Sequence, residues 1–298
     1  MAELHMLVGI AGSGKSTFAN ELKERYKDKN VEIFSSDALR LELYGDENDQ
    51  THNNQVFEEL HKRILTHLNQ GGVAIYDACN LTYKTRMTFL KKVHMFVYKA
   101  CHIIPATYEE AVARQELRER KVPAEVIKRQ ICSFQTPYWH EGWNEICIHT
   151  TLDNKIKLHD ILMANHDVSH DNPNHQYGIG RHCMEAFFYA HDVGFSETIQ
   201  EAALYHDIGK PFVKSFTNRR GESTEIAHYY GHQNYGAYLA LLSDGTDFQS
   251  SLLAISFLIC YHMEEFVRKE KVDKFYELVG ESRALQLKQL HECDLHAH

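Results

Sequence analysis

One string in this chain has the spacing of a phosphate cradle: Gly9-Ile10-Ala11-Gly12-Ser13-Gly14-Lys15-Ser16-Thr17. It follows a short apolar run, Leu4–Val8, and precedes a helical pattern marked by Phe18 and Leu22. Gly12, Ser13 and Gly14 let the backbone wrap phosphates, Lys15 neutralises β/γ oxygens and Ser16 reaches magnesium, with Thr17 counted in the same nucleotide-binding set. The helix beginning here adds its N-terminal dipole. A second group of residues has the types of a metal centre: His182, the adjacent pair His206-Asp207, His232, His262 and Asp294. Mixed histidine and carboxylate donors suit Mn, Fe, Ni, Co or Zn, and such an ion lowers the pKa of a bound water and aims it at a phosphorus.

Other residues gain meaning from position. Asp37 and Arg40 stand three apart after a strand-like run, Val31–Phe34. Alone, Asp37 reads as a helix N-cap and Arg40 as a solvated helix residue. Beside a phosphate cradle they read as a base for an acceptor hydroxyl and a cation for the transferred phosphate. Arg114 and Arg118 are spaced to share one helical face, either as a charged surface or as a lid over nucleotide phosphates. Gly209 and Pro211 read as the helix end that lets both His206 and Asp207 turn inward.

The elements that must hold these residues change character near the middle of the chain. In the first 150 residues, Leu4–Val8, Val31–Phe34, Val73–Tyr76 and Ala100–Ile104 alternate with helical stripes such as Val56, Leu60, Ile64, Leu65 and Leu68. Thr107 and Glu110 have the spacing of a capping box. That alternation predicts a parallel sheet with helices on its faces, and its chemistry belongs at the carboxyl ends of the strands, where Asp37, Arg40 and Asp77 fall. Residues 151–175 read as linker and entry loop. Beyond them the pattern is helical. The division predicts an α/β P-loop domain over 1–150 and an all-α domain over 151–298.

Composition narrows the classes. Hydrophobic residues at 43% and charged residues at 24% are ordinary globular usage. No run approaches the ~18–20 apolar residues of a membrane span. The N-terminal residues lack a basic region followed by an apolar run, so no signal peptide is expected. Seven scattered cysteines without a C-x-x-C pair fit reduced thiols, and the chain is expected to be cytoplasmic. The formal net charge of -9 lies mostly after residue 150, in a part that also holds 13 of the 21 histidines. Such acidity argues against broad non-specific nucleic-acid binding while leaving room for a local basic groove.

The first part resembles the 5'-hydroxyl polynucleotide kinase family. The resemblance rests on Gly9–Thr17, Asp37-x-x-Arg40, Asp77-Ala78-Cys79-Asn80-Leu81, and the arginine segment before Val122-Pro123. It implies ATP or another NTP with Mg, Asp37 as general base on a 5'-hydroxyl, Arg40 on the scissile phosphate, and Arg114 and Arg118 on ATP phosphates. The second part resembles the HD phosphohydrolase superfamily. The marks are Asn172-Pro173-Asn174-His175 before His182, His206-Asp207-Ile208-Gly209-Lys210-Pro211, Gly231-His232 with Gly236-Ala237, and Asp294-Leu295 with Ala297-His298. Within it, the segment is similar to the HD modules of tRNA CCA-adding enzymes and of HD-fused polynucleotide kinases. This resemblance implies one metal on His182, His206, Asp207 and Asp294, a second on His232 and His262, and Lys210 and His175 on the substrate phosphate. HD-fused kinases place the HD module first, whereas here the kinase part leads.

Together these features predict an enzyme that heals broken RNA or DNA ends and passes them to a nucleic-acid ligase: a 5'-kinase joined to a phosphoesterase acting on 2',3'-cyclic, 2' or 3' phosphates. A small-molecule or nucleoside kinase fused to an HD nucleotide phosphohydrolase is the alternative. An open acceptor groove lined by Lys84, Arg86, Lys91 and Lys92 separates the two. A nucleotide-switched sensor with a dead metal site is disfavoured because no candidate ligand is replaced by an inert residue.

Overall fold

A computed structural model of the chain describes residues 1–118, 121–150, 155–173, 176–245, 249–266 and 269–297, leaving aside the side chains of residues 249 and 250. The chain separates into two compact units, Met1–Ile127 with Pro137–Thr150, and Lys128–Thr136 with Thr151–His298. Residues 128–136 pack with the second unit. There Thr136 Oγ1 lies 2.7 Å from Ser256 Oγ and the Phe134 ring meets Tyr238 edge-on.

In the first unit, Glu3–Val8 (β1) leads into Lys15–Arg25 (α1), Val31–Ser35 (β2), Ser36–Tyr44 (α2), Asn53–Asn69 (α3) and Val73–Asp77 (β3). Tyr83–Leu90 (α4), Tyr98–Ile103 (β4), Tyr108–Glu116 (α5) and Glu145–Ile148 (β5) follow, while Ala124–Cys132 (α6) is divided between the two units after Ile127. The strands form one sheet in the order β2-β3-β1-β4-β5, with every pairing parallel. β3 is buried throughout and β1 nearly so, as expected of central parallel strands covered on both faces. β5 was not foreseen, because four residues at a sheet edge give too short an alternation to read. The capping box on α5 is formed, with Thr107 Oγ1 and the Glu110 side chain each bonding the other's backbone N–H.

The second unit consists of Leu158–Ala164 (α7), Ile179–Val193 (α8), Glu197–Tyr205 (α9), Lys210–Val213 (α10), His232–Ala240 (α11), Gln249–Tyr261 (α12), Lys269–Val279 (α13) and Glu281–His296 (α14). α9 packs against α8, α12 and α14, and α11 lies along α12. One antiparallel hairpin, Ser215–Thr217 (β6) with Ser223–His228 (β7), is added to this helical body. Its turn is built by Asn218, whose Oδ1 accepts from Arg220 N and Glu222 N, and by Gly221 at φ +83°. Among the described residues no helix is long and apolar enough to cross a membrane.

Candidate active sites

The phosphate cradle sits at the carboxyl end of β1. Gly12 and Gly14 have φ of +82° and +100°, the left-handed region where a side chain is strained. A Cβ on Gly12 would also strike the Ala111 carbonyl, whereas the space beside Gly14 is open. α1 begins at Lys15 with no side-chain cap, so its first-turn N–H groups are available to an anion. Lys15 Nζ donates to the Ile10 carbonyl at 2.7 Å, and the buried Ser13 hydroxyl has no partner among the described residues. Thr17 is exposed on the first turn.

Ser16 donates to Asp77 at 2.7 Å, joining the start of α1 to the end of β3. Burial pushes the Asp77 carboxyl up from its ordinary pKa, and the Asp37 charge adds to this, against Ser16, Lys15 and Arg118. A hydroxyl and a carboxylate converging beside a phosphate cradle fit a magnesium ion, which takes few protein ligands and keeps phosphate and water oxygens. Position at a strand end was visible in the sequence, but the partnership of Asp77 with Ser16 was not, since it joins residues 61 apart.

Asp37 is not a helix cap. Ser35 caps α2, its hydroxyl accepting from Ala38 N, and Asp37 lies in the first turn with its carboxylate half exposed. Arg40 is buried. It donates to Asp37 Oδ1 at 2.7 Å and to Asn53 Oδ1 at 2.8 Å, which fixes its guanidinium beneath the carboxylate. Asn53 was missed in the sequence because nothing local ties it to Arg40.

The arginine segment differs from expectation. Arg114 Nη1 donates to the carbonyls of Gly12 and Ser13 at 3.2 and 3.3 Å, touching the cradle itself. Arg118 does not share its helical face, because α5 stops at Glu116. The buried Gln115 side chain accepts from Val122 N at 3.1 Å, turning the chain back toward Pro123. Arg118 stays near enough to Asp77 to act on its charge. Arg86 is a second correction. It is fully buried, with two 2.7 Å bonds to Glu141 and further bonds to the Asn80 and Leu81 carbonyls, so it cannot line an acceptor groove. Lys84, Lys91 and Lys92 are exposed.

In the second unit six ligand-type residues meet. His182 projects from α8, His206 and Asp207 lie just past the end of α9, and His232 opens α11. His262 follows α12, and Asp294 is on α14. All six are buried. His182 Nε2 lies 3.1 Å from His206 Nε2 and 3.0 Å from Asp294 Oδ1. His232 Nε2 lies 3.3 Å from His262 Nε2. Asp207 faces both groups: Oδ2 is 3.6 and 3.4 Å from His182 and His206, and Oδ1 is 3.3 and 3.8 Å from His232 and His262.

Each imidazole is aimed by its other nitrogen. The Nδ1 atoms of His182, His206, His232 and His262 donate to the carbonyls of Ala297, Ala203, Tyr229 and Ile259 at 2.8–3.1 Å, leaving Nε2 toward the cavity. This is the orienting contact that metal-binding histidines use. Metal–ligand bonds of about 2.0–2.2 Å set neighbouring ligand atoms roughly 3.0–3.5 Å apart, close to the separations here. The donor set fits divalent ions, with His182, His206 and Asp294 on one side, His232 and His262 on the other, and Asp207 between.

The charges agree with that arrangement. Burial alone would push both carboxyls up, but Lys210 and His206 hold Asp207 well below its ordinary value, and hydrogen bonds from His182 and His206 do the same for Asp294. Burial, reinforced by His232, pushes His262 down to about 3 and keeps it neutral. For His206 burial is outweighed by Asp207, so its pKa stands above the ordinary value. Lys210 Nζ is 2.5 Å from Asp207 Oδ2 and 3.4 Å from His170 Nδ1, a buried histidine that sequence reasoning did not single out. His175, expected on the substrate phosphate, lies outside the described residues, as do Asn174 and His298 of the quoted strings.

Gly209 does not end a helix by left-handed geometry, since its φ is -79°. It is small because a Cβ would collide with the His232 carbonyl and Gly236 N, so α10 and α11 approach closely only through glycine.

The AAA domain family profile matches residues 4–137, and the HD domain family profile matches residues 179–296. The chain thus joins an α/β unit with a P-loop string that matches the AAA domain profile to a helical unit that matches the HD domain profile. No curated protein matches it significantly. Among solved structures, one of the Pnkp1/Rnl/Hen1 RNA repair complex is 20% identical with a TM-score of 0.39, covering 43% of this chain and 42% of that one. A second structure of that complex is 22% identical with a TM-score of 0.35, covering 41% of each chain. A gluconokinase from Sinorhizobium meliloti 1021 is 14% identical with a TM-score of 0.36, covering 49% of this chain and 81% of that one. The chain spans less than half the length of the repair-complex chains it matches, and at such TM-scores neither likeness decides the acceptor.

Proposed function

We propose that this protein heals the two ends of broken RNA, phosphorylating a 5'-hydroxyl with ATP and removing a 2',3'-cyclic, 2' or 3' phosphate, so that a nucleic-acid ligase can join them. The observation that carries the reading is the pairing of two built sites on one chain: Asp37 braced by Arg40 near the Ser16–Asp77 corner, and Asp207 set between two histidine pairs.

In the kinase site, Asp37 is the base that takes the acceptor's proton as its oxygen attacks the terminal phosphorus. Its half-exposed carboxylate is open to an incoming hydroxyl while Arg40 holds it in place. Arg40 and Lys15 stabilise the charge spread over the transferred group. Arg114, already on the cradle carbonyls, holds nucleotide phosphates, and Ser16 with Asp77 would hold magnesium. In the HD site the six residues would hold divalent ions, which supply an activated water and a charge for phosphate oxygens. Lys210 is placed beside Asp207 to neutralise the departing phosphate.

The burial of Arg86 removes one expected cation from the acceptor groove and favours testing a smaller acceptor directly. Labelled ATP offered together with a 5'-hydroxyl oligoribonucleotide and free nucleosides should label the oligonucleotide. Transfer to nucleosides alone would replace this reading by a small-molecule kinase.

A further inference from the structure

A row of histidines crosses one face of the sheet in the first unit, apart from the nucleotide cradle chemistry. His5 is on β1, His102 on β4, and Cys147 on β5 is paired in register with His102, with His149 two residues further on. His5 Nδ1 lies 2.9 Å from His102 Nε2, and His102 Nδ1 lies 2.9 Å from His149 Nε2. At the inner end His5 Nε2 points at the Glu3 carboxylate, 3.4 Å away. That carboxylate can only accept, so His5 donates through Nε2 and accepts through Nδ1. The alternation then passes along the row, so His102 Nδ1 accepts from His149 Nε2–H; an ion set between these two nitrogens would replace that bond, taking the His102 Nδ1 lone pair while the His149 proton moves to its outer Nδ1.

We infer that His102, Cys147 and His149 form a zinc site that ties the edge strand β5 to β4. One ligand atom from each residue lies within 4.8 Å of the others. Tetrahedral zinc with two nitrogens and a sulfur needs separations of roughly 3.3–3.8 Å, a closure of about 1 Å that side-chain rotation supplies. Glu145 Oε1, 3.2 Å from Cys147 Sγ, is in reach as an oxygen donor for the fourth position. A thiolate with imidazoles selects a borderline or soft ion, unlike the oxygen-and-imidazole set of the second unit. The Cys147 thiol donates to the Glu145 carboxylate at 3.2 Å, and zinc binding would displace that proton to solvent. The Phe18 ring of α1 packs on both histidines and closes the apolar side.

Cobalt(II) titration of the full-length protein separates this site from the second-unit centre, because only a thiolate ligand gives an intense sulfur-to-cobalt charge-transfer band. The band is expected in the wild type and in Asp207→Ala, and is expected to vanish in Cys147→Ser together with one equivalent of bound zinc. Absence of the band in the wild type, or its survival in Cys147→Ser, overturns the assignment. Should Cys147→Ser fail to fold, mass-mapped alkylation of the wild type decides. Zinc should slow modification of Cys147 at least tenfold, and an equal rate with and without zinc overturns the proposal.

Discussion

A single carboxylate, Asp207, faces both histidine pairs through its two oxygens. Its removal would therefore disturb every ion the cavity holds. Asp207→Ala is expected to lower phosphoesterase kcat by at least 10²-fold and reduce bound metal, read by metal analysis of the folded variant. Proton competition has a defined sign. His206 has a raised pKa and must lose its proton to become a ligand, so apparent metal affinity should climb as pH rises from 6 to 8, with proton release on binding. A flat affinity over that window, measured calorimetrically in buffers of different ionisation enthalpy, contradicts this account. In the other unit, Asp37→Asn keeps shape but removes the base. The kinase kcat should fall about 10²–10⁴-fold while ATP binding is retained. A twofold change would return Asp37 to a structural role. Strings such as Gly9–Thr17 and His206-Asp207 were legible because their spacing is local. Asn53 beside Arg40, Asp77 beside Ser16 and His170 beside Lys210 were not, because each partnership is made only by folding.

At the scale of elements, the alternating pattern of the first part foretold a parallel sheet because buried central strands are continuous apolar runs. What it could not give was the fate of single charges on the helices. Arg86 looked like a groove cation, yet Glu141, 55 residues later, draws it wholly inside. Arg86→Ala should cost about 3–5 kcal/mol in denaturant unfolding by leaving Glu141 buried without its partner. Nucleotide affinity of the folded fraction should be unchanged. A raised KM for the 5'-hydroxyl oligonucleotide without loss of stability would restore Arg86 to the acceptor groove. The close approach of α10 to α11 makes a similar point about Gly209. Gly209→Ala forces a Cβ against the backbone of the segment that carries His232. Destabilisation of about 1–3 kcal/mol is expected, with weaker metal binding. A variant with unaltered midpoint and metal content contradicts the packing argument.

At the scale of the molecule, the change from alternating strands and helices to helices alone was visible in the sequence. The crossing of residues 128–136 into the second unit was not, since it depends on Thr136 meeting Ser256 and Phe134 meeting Tyr238. Each unit carries its own candidate site, so the two proposed activities should separate by mutation. The most direct test offers wild type, Lys15→Ala and Asp207→Ala a cleaved RNA bearing a 5'-hydroxyl on one fragment and a 2',3'-cyclic phosphate on the other, with ATP and divalent metal, and analyses both ends by mass. A 5'-phosphate and a 2',3'-diol are expected from the wild type, only the diol from Lys15→Ala, and only the 5'-phosphate from Asp207→Ala. Wild-type protein that leaves both ends unchanged under these conditions, while phosphorylating a free nucleoside, would contradict the proposed function.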